Sequence, residues 1–346
     1  MMNTARHPSF PLLAGMAALL CVLACLWGCA SSGKNADKAP PSKEGGPAAA
    51  QPAFPAVSFA PETMPAGDLV RRIGEEVGGG LVLINGLEER SVPAFSVKNA
   101  PYGELAGRVA EAVQCEALPL PHVWVILPSE YAPLLETDLS GSLPPETAAL
   151  TGTVAFGGKT PMYNVLSVLS QNLGVTLVAD NQLSETRCGE LFLGPAPLSG
   201  ILEAVWISAR VPREAYAVEA VGNALFFRSV RNVTPPSLLL NADALTPEQR
   251  AVVDRVVDAV LPEPGGDPAE TAFSARPKPL KNVLTPLSRQ LGVVVSAKSV
   301  FAEVPVSPCV FKGARVAEVM DLMLRQWPTD KVGWEVSGEE LLIRPR

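Results

Sequence analysis

The feature that most constrains this chain is an internal repeat. The run NVLSVLSQNLGV, Asn164 to Val175, returns as NVLTPLSRQLGV, Asn282 to Val293, with eight of the twelve positions identical. At the same offset of 118, without a gap, Leu193-Gly194-Pro195-Ala196 falls on Phe311-Lys312-Gly313-Ala314. A weaker third copy lies upstream at an offset of 96. There Leu69 to Gly78 align with Val165 to Gly174, and Val97-Lys98-Asn99-Ala100 with Leu193 to Ala196. Self-similarity at this scale means that one small supersecondary unit is built several times, each copy too small to bury its apolar face well alone.

The apolar spacing inside the copies predicts the elements. Val70, Ile73 and Val77 correspond to Leu166, Leu169 and Leu173, and then to Leu284, Leu287 and Leu291. Three-then-four spacing puts each trio on one helical face. A second helix follows in each copy, with Leu105, Ala106 and Val109 matching Ile201, Leu202 and Val205, then Val319, Met320 and Met323. Gly78, Gly174 and Gly292 stand just past the first helix, where a left-handed cap costs glycine least. Thr160-Pro161 reads as an N-cap followed by proline at the first helical position.

Strands flank the helices. Each copy opens on a short strand ending near an aromatic: Phe59, Phe156 and Phe273. A β-branched or Leu-rich run follows the first helix, at Leu81 to Ile84, Thr176 to Ala179 and Val293 to Ser296. A third strand near Val97, Phe192 and Phe311 leads into the second helix, and each copy closes on a hairpin. Gly222-Asn223 and Gly338-Glu339 suit tight type II′ turns, whereas Pro121-His122 predicts a looser one. The class is α+β: three tandem βαββαββ units, over 56–130, 152–231 and 270–346.

The N-terminus sets the address. Arg6 and His7 precede an uncharged run from Leu12 to Ala30, after which the chain turns polar at Ser31-Ser32-Gly33-Lys34. A charged start, an apolar middle and a small-residue exit make an export signal. The run is also long enough to span a bilayer, so an uncleaved anchor is the competing reading. Leu26-Trp27-Gly28-Cys29 resembles a bacterial lipobox, with residues 1–28 as the signal and Cys29 as the acylated N-terminus; Trp27 is bulkier than that pattern expects. Val22-Leu23-Ala24-Cys25 is a second candidate. With Ala30 and not Asp after Cys29, the lipoprotein sorting rule implies the outer membrane. Residues 29–55 are Ala, Pro, Gly, Ser and Lys with little to bury, so they read as a lipid-anchored disordered tether. Its reach is about 25–30 Å for about 25 residues.

Composition excludes several functions. The net charge is −7, and loss of residues 1–28 removes only Arg6 among Lys and Arg. An acidic chain without a basic run is a poor nucleic-acid ligand. Cys115, Cys188 and Cys309 lie outside the leader. Their odd number and wide spacing make no disulfide framework or zinc motif, and small buried side chains are the simpler reading, although one pair remains open. His122 is the one histidine beyond the leader and sits in a turn. Gly78-Gly79-Gly80 follows a helix, the wrong order for a phosphate loop. Glu75-Glu76 and Glu88-Glu89 read as solvated surface. No catalytic, cofactor-binding or metal-binding set can be nominated.

Residues 232–269 join the second and third copies. Thr246 and Gln249 form a capping-box pair around Pro247. Val252, Val253, Val256, Val257 and Val260 then recur at four-residue intervals, predicting an amphipathic helix over 246–261. Such a helix either packs on its own neighbour or docks in a partner's groove.

The order of strand, helix–Gly, strand, strand–Ala–helix and hairpin resembles the secretin and TonB short N-terminal domain, across most of the chain beyond the tether. That resemblance implies a periplasm-facing interaction module. The chain ends at Arg346, after the third copy, with no run of alternating strands for an outer-membrane barrel. The expectation is a non-enzymatic adaptor or assembly component of a secretin, pilus or related envelope machine. Its partners would be a secretin-like or other envelope-complex protein, the membrane through the lipid, and, as an open option, further copies of itself. The alternative is a lipoprotein that binds an envelope glycan or small ligand in a groove lined by Trp206, Trp327 or Trp334.

Overall fold

Proline and neighbouring backbone, not capping side chains, decide where most of the long helices begin. In the computed structural model, which describes residues 54–136, 138–263 and 275–346, the first segment holds β1 (Val57–Phe59), β2 (Met64–Pro65), α1 (Ala66–Val77), β3 (Leu81–Leu83), β4 (Ser91–Val92), β5 (Val97–Ala100), α2 (Tyr102–Ala112), β6 (Glu116–Leu120) and β7 (Val123–Leu127). After α3 (Pro145–Ala148), the second holds β8 (Thr151–Phe156), α4 (Met162–Leu173), β9 (Thr176–Ala179), α5 (Asn181–Ser184), β10 (Leu191–Pro197), α6 (Leu198–Ser208), β11 (Tyr216–Val221) and β12 (Ala224–Ser229). The third has α7 (Pro247–Val253), β13 (Val256–Leu261), β14 (Lys278–Pro279), α8 (Leu280–Leu291), β15 (Val294–Ala297), β16 (Pro305–Val306), β17 (Cys309–Arg315), α9 (Val316–Arg325), β18 (Val332–Ser337) and β19 (Glu340–Pro345). The class is mixed α+β in small sheets.

Pro65, Pro161 and Pro279 are the N-cap residues of α1, α4 and α8, and Pro101 and Pro197 those of α2 and α6. Proline's fixed φ carries a strand straight into a helix, but it offers no side-chain acceptor for the unpaired N–H groups of the first turn. Neighbouring backbone supplies it. Ala66 N–H donates to the Arg90 carbonyl at 2.8 Å, Met162 to Thr186 at 2.9 Å and Leu280 to Val304 at 2.9 Å. Leu198 and Val316 donate in the same way to Leu150 and Arg255. Thr160 is therefore not the cap expected of it; its hydroxyl donates to the Gly157 carbonyl, and the helix begins one residue later than the N-cap reading required.

The predicted helical faces are buried, apart from Val77, Leu173 and Leu284, which are half-buried. Gly78, Gly174 and Gly292 close α1, α4 and α8 in the left-handed conformation, with φ of 74°, 67° and 60°. The two-residue loops at Gly222-Asn223 and Gly338-Glu339 have positive φ only at glycine, as a type II′ turn requires. The first hairpin is equally short: Leu120 faces Val123 across Pro121-His122. The looser turn expected there does not form, because proline's negative φ changes the turn type without lengthening the loop.

Strand pairing follows one scheme along the chain. β1 pairs antiparallel with β5, β8 with β10, and β13 with β17. β3 runs parallel to β7, β9 to β12 and β15 to β19, and hairpin partners β6, β11 and β18 complete the sheets. Strand β10 also pairs with β3, so one five-stranded sheet, β6-β7-β3-β10-β8, joins the first and second segments. One hydrophobic core runs from Val57 to Phe227, and a second gathers the third segment with Val178, Ala224 and Phe226.

The helix expected over 246–261 is corrected. Its start is right, since Thr246 and Gln249 form the capping box and Pro247 the first turn. The helix ends at Val253, and Val256–Leu261 is a strand with Ala259 and Leu261 buried. Branched valines suit a pleated sheet better than a helix, and a spacing of four satisfies a period of two as well as one of 3.6. The third segment thus opens at Val256 rather than at 270, and its expected opening strand at Phe273 lies outside the described residues. Leu261→Ala is expected to cost about 2–4 kcal/mol, the usual loss for a buried leucine, while Val256→Ala at the exposed end of the same strand stays within about 1 kcal/mol; urea denaturation of both variants checks this.

Candidate functional site

The five valines nominated as a docking stripe do not share a helical face. Val252 and Val253 end α7, with Val253 buried, while Val256, Val257 and Val260 lie on β13. Val256 points to solvent, and the amide of Gln290 covers Val260 by accepting from its N–H at 2.7 Å and donating to its carbonyl at 3.1 Å. That side-chain amide blunts the strand edge. Cys29 and Cys25 lie outside the described residues. No helix among the described residues is long and apolar enough to cross a membrane.

Side chains with chemical potential are mostly committed to packing. Cys188 and Cys309 are buried free thiols that burial pushes up to about 12, and Cys115 is raised for the same reason. A thiol so displaced is no nucleophile at neutral pH. His122 is exposed beside a shallow hollow near Glu203 and Asp138. Among the described residues no three His, Cys, Asp or Glu side chains gather to hold a metal ion. Trp206, Trp327 and Trp334 are buried, and Trp334 donates its indole N–H to Asp321 at 2.7 Å. They line no groove.

What the fold does build is contact between successive segments. In the first such contact Leu191 faces Val82 and Phe192 faces Leu81. The Phe192 ring covers α1 at Gly74, where any Cβ would lie 2.2 Å from it. Two buried glutamates close this contact. Glu190 accepts from the Gly158 N–H at 2.6 Å and from Arg71 at 3.2 Å; Glu88 accepts from the Gly86 N–H at 2.7 Å. Burial pushes the Glu190 carboxyl above the usual range, against the pull of Gly158 and Arg71 and with the help of neighbouring Glu88.

In the second contact β17 lies along β9 and α4. Thr176 Oγ1 accepts from the Lys312 N–H at 2.8 Å, and the fully buried Arg325 pairs with Glu219 and stacks 4.3 Å from the Phe226 centroid. Buried Asp180 caps α5, accepts from Ser229 and Asn232, and through Asn232 reaches the Arg325 carbonyl. The linker then lies on the edge of β18, where the Trp334 N–H donates to Leu238 and Leu240 to Trp334. None of these polar anchors was nominated from the sequence, and Glu88, expected on the solvated surface, is buried. A buried Asp, Glu or Arg leaves no periodic trace; the N-cap position of Asp180 is the one local signal that could have revealed any of them.

No family model, curated protein or solved structure matches the chain. The geometry alone therefore carries the reading. The raised Glu190 carboxyl gives a test of the first contact. The folded chain holds that proton more tightly than the unfolded chain, so the stability this group adds is complete below the unfolded value of about 4.3 and is lost as pH rises through the folded one. Glu190→Gln should therefore raise the melting temperature at pH 7 and leave it near that of the wild type at pH 4, as thermal denaturation followed by circular dichroism at both pH values would show.

Proposed function

We propose that this chain is a lipid-anchored envelope protein of three tandem domains of the secretin and TonB short N-terminal type, acting without catalysis as an adaptor or assembly component of a secretin, pilus or related machine. The observation that carries the reading is the pairing scheme. In each segment the opening strand pairs with the strand before the second helix, and the strand after the first helix runs parallel to the closing hairpin. A short bridge ahead of the first helix also recurs, as β2 with β4, Pro161 with Arg187, and β14 with β16. The proposed domains span 56–130 and 152–231, with the third opening at Val256.

The surfaces favour protein contact over ligand capture. The tryptophans that a glycan groove would need are inside, and the chemistry-bearing side chains hold domain to domain. A leader over residues 1–28, an acylated Cys29 and a polar tether would place such a module in the periplasm on the outer membrane.

Tagged full-length protein, purified from crosslinked envelopes, is expected to bring down a secretin-like or other envelope-complex subunit, and to fractionate with the outer membrane. Cys29→Ser should lose the anchor and move to the soluble periplasmic fraction. Recovery of no envelope-machine subunit would sink the adaptor reading, and a Cys29→Ser variant that still fractionates with membranes would move the lipid site to Cys25 or restore the uncleaved anchor.

A further inference from the structure

Successive segments meet twice inside the chain, by pairing of β10 with β3 and by packing of β17 along β9, and among the described residues the corresponding strand of the third segment has no such neighbour. Strand β3 is covered by β10, and β9 by β17; both covered strands are buried at every residue. Strand β15 occupies the same place in the third segment, and Val294 falls on Thr176 at the repeat offset. Nothing covers it. Val294 is 59% exposed, and beside it opens a cleft of about 430 Å³ lined by Val252, Val293, Val294 and Val336, with Glu248 and Glu339 on its rim. One segment earlier, the corresponding Gly174, Val175, Gly222 and Asn223 line a hollow together with Lys312 and Gly313 of the next segment, whose Lys312 N–H is held by Thr176 Oγ1.

The chain's opposite end carries a matching edge. Val97-Lys98-Asn99-Ala100 aligns with Phe311-Lys312-Gly313-Ala314, the stretch that docks on β9. Both have a left-handed residue at the same position, Asn99 with φ of 48° and Gly313 with φ of 57°. Both pin it in the same way: the Asn99 N–H donates to Ser58 Oγ at 2.9 Å, and the Gly313 N–H to Asp258 Oδ1 at 2.8 Å. The middle copy has Pro195 there and cannot take this form. Lys98 and Asn99 are exposed, and Ser58 replaces the aspartate that pairs with Lys312, so Lys98 has no carboxylate partner among the described residues. Its charge suits the Glu248 and Glu339 rim.

We propose that β15 and its valine-lined cleft receive the β5 edge of a second copy of this chain, so that molecules associate head to tail through a repetition of their own internal contact. A heterologous contact of this kind propagates into rings or filaments and does not close as a two-fold dimer. It goes beyond the adaptor role and stands without it.

The test uses full-length protein in cells, in a Cys115→Ser background, with Lys98→Cys and Val294→Cys introduced singly and together. Under mild oxidation the double variant should form a ladder of dimers, trimers and larger species on a non-reducing gel, while the two single variants expressed together give mixed dimers and nothing longer. The leader cysteines are common to every strain and serve as the background. Val294→Glu, which changes an exposed side chain, should leave the thermal melt unchanged and weaken association about tenfold, because it adds a charge to an already acidic rim. A double variant that stays monomeric overturns the proposal; so does a Val294→Cys chain that bridges only to itself or only to another polypeptide. A ladder without any copurifying envelope subunit would keep the head-to-tail contact and reject the adaptor role.

Discussion

The rest of the structure depends on the strand that leads into the second helix, because it must satisfy two neighbours at once. β10 pairs with β8 of its own segment on one side and with β3 of the preceding segment on the other. β17 pairs with β13 while lying along β9. Small sheets leave unpaired edges, and such edges attract whatever strand is nearest. Here the nearest strand comes from the next segment, which turns a liability into the rule of assembly. Segments of this size bury too little surface to stand well alone; the first two share a sheet and a core, and the third packs its own core against Val178, Ala224 and Phe226 of the second.

Polar groups give these shared contacts their register. Apolar packing alone tolerates sliding, whereas a buried charge or hydroxyl accepts few arrangements. Thr176 on the Lys312 backbone, Arg325 between Glu219 and Phe226, and Asn232, held by Asp180, on the Arg325 carbonyl each fix one position of the second and third segments. Glu190 with Arg71 and Gly158 does the same for the first and second. Fixing segments in this way keeps the chain a defined scaffold. It also explains why so much of the ionisable chemistry is used internally.

Local physics made much of this readable. The helix faces at Val70, Leu166 and Leu287, the glycine caps and the tight hairpins at Gly222 and Gly338 all follow from periodicity or from conformations that few residues accept. The predicted contact residues were less readable. Val252 to Val260 fits two periods at once, and the capping box at Thr246 tipped the reading toward a helix that runs too far. The polar anchors were invisible because their partners lie far away in sequence, as Asp321 does from Leu238.

The sequence by itself determined the mixed α+β class, the buried face of each helix and the glycine turns, since each depends on residues within a few positions of one another. Only the tertiary structure decided that Val256–Leu261 is a strand, that Pro161 and the Thr186 carbonyl begin α4 where Thr160 was expected to cap it, and that the first and second segments share a sheet. Those outcomes rest on hydrogen bonds to backbone groups far along the chain. A sheet edge or an unpaired helix N–H takes the partner that folding brings to it, and no local pattern names that partner in advance.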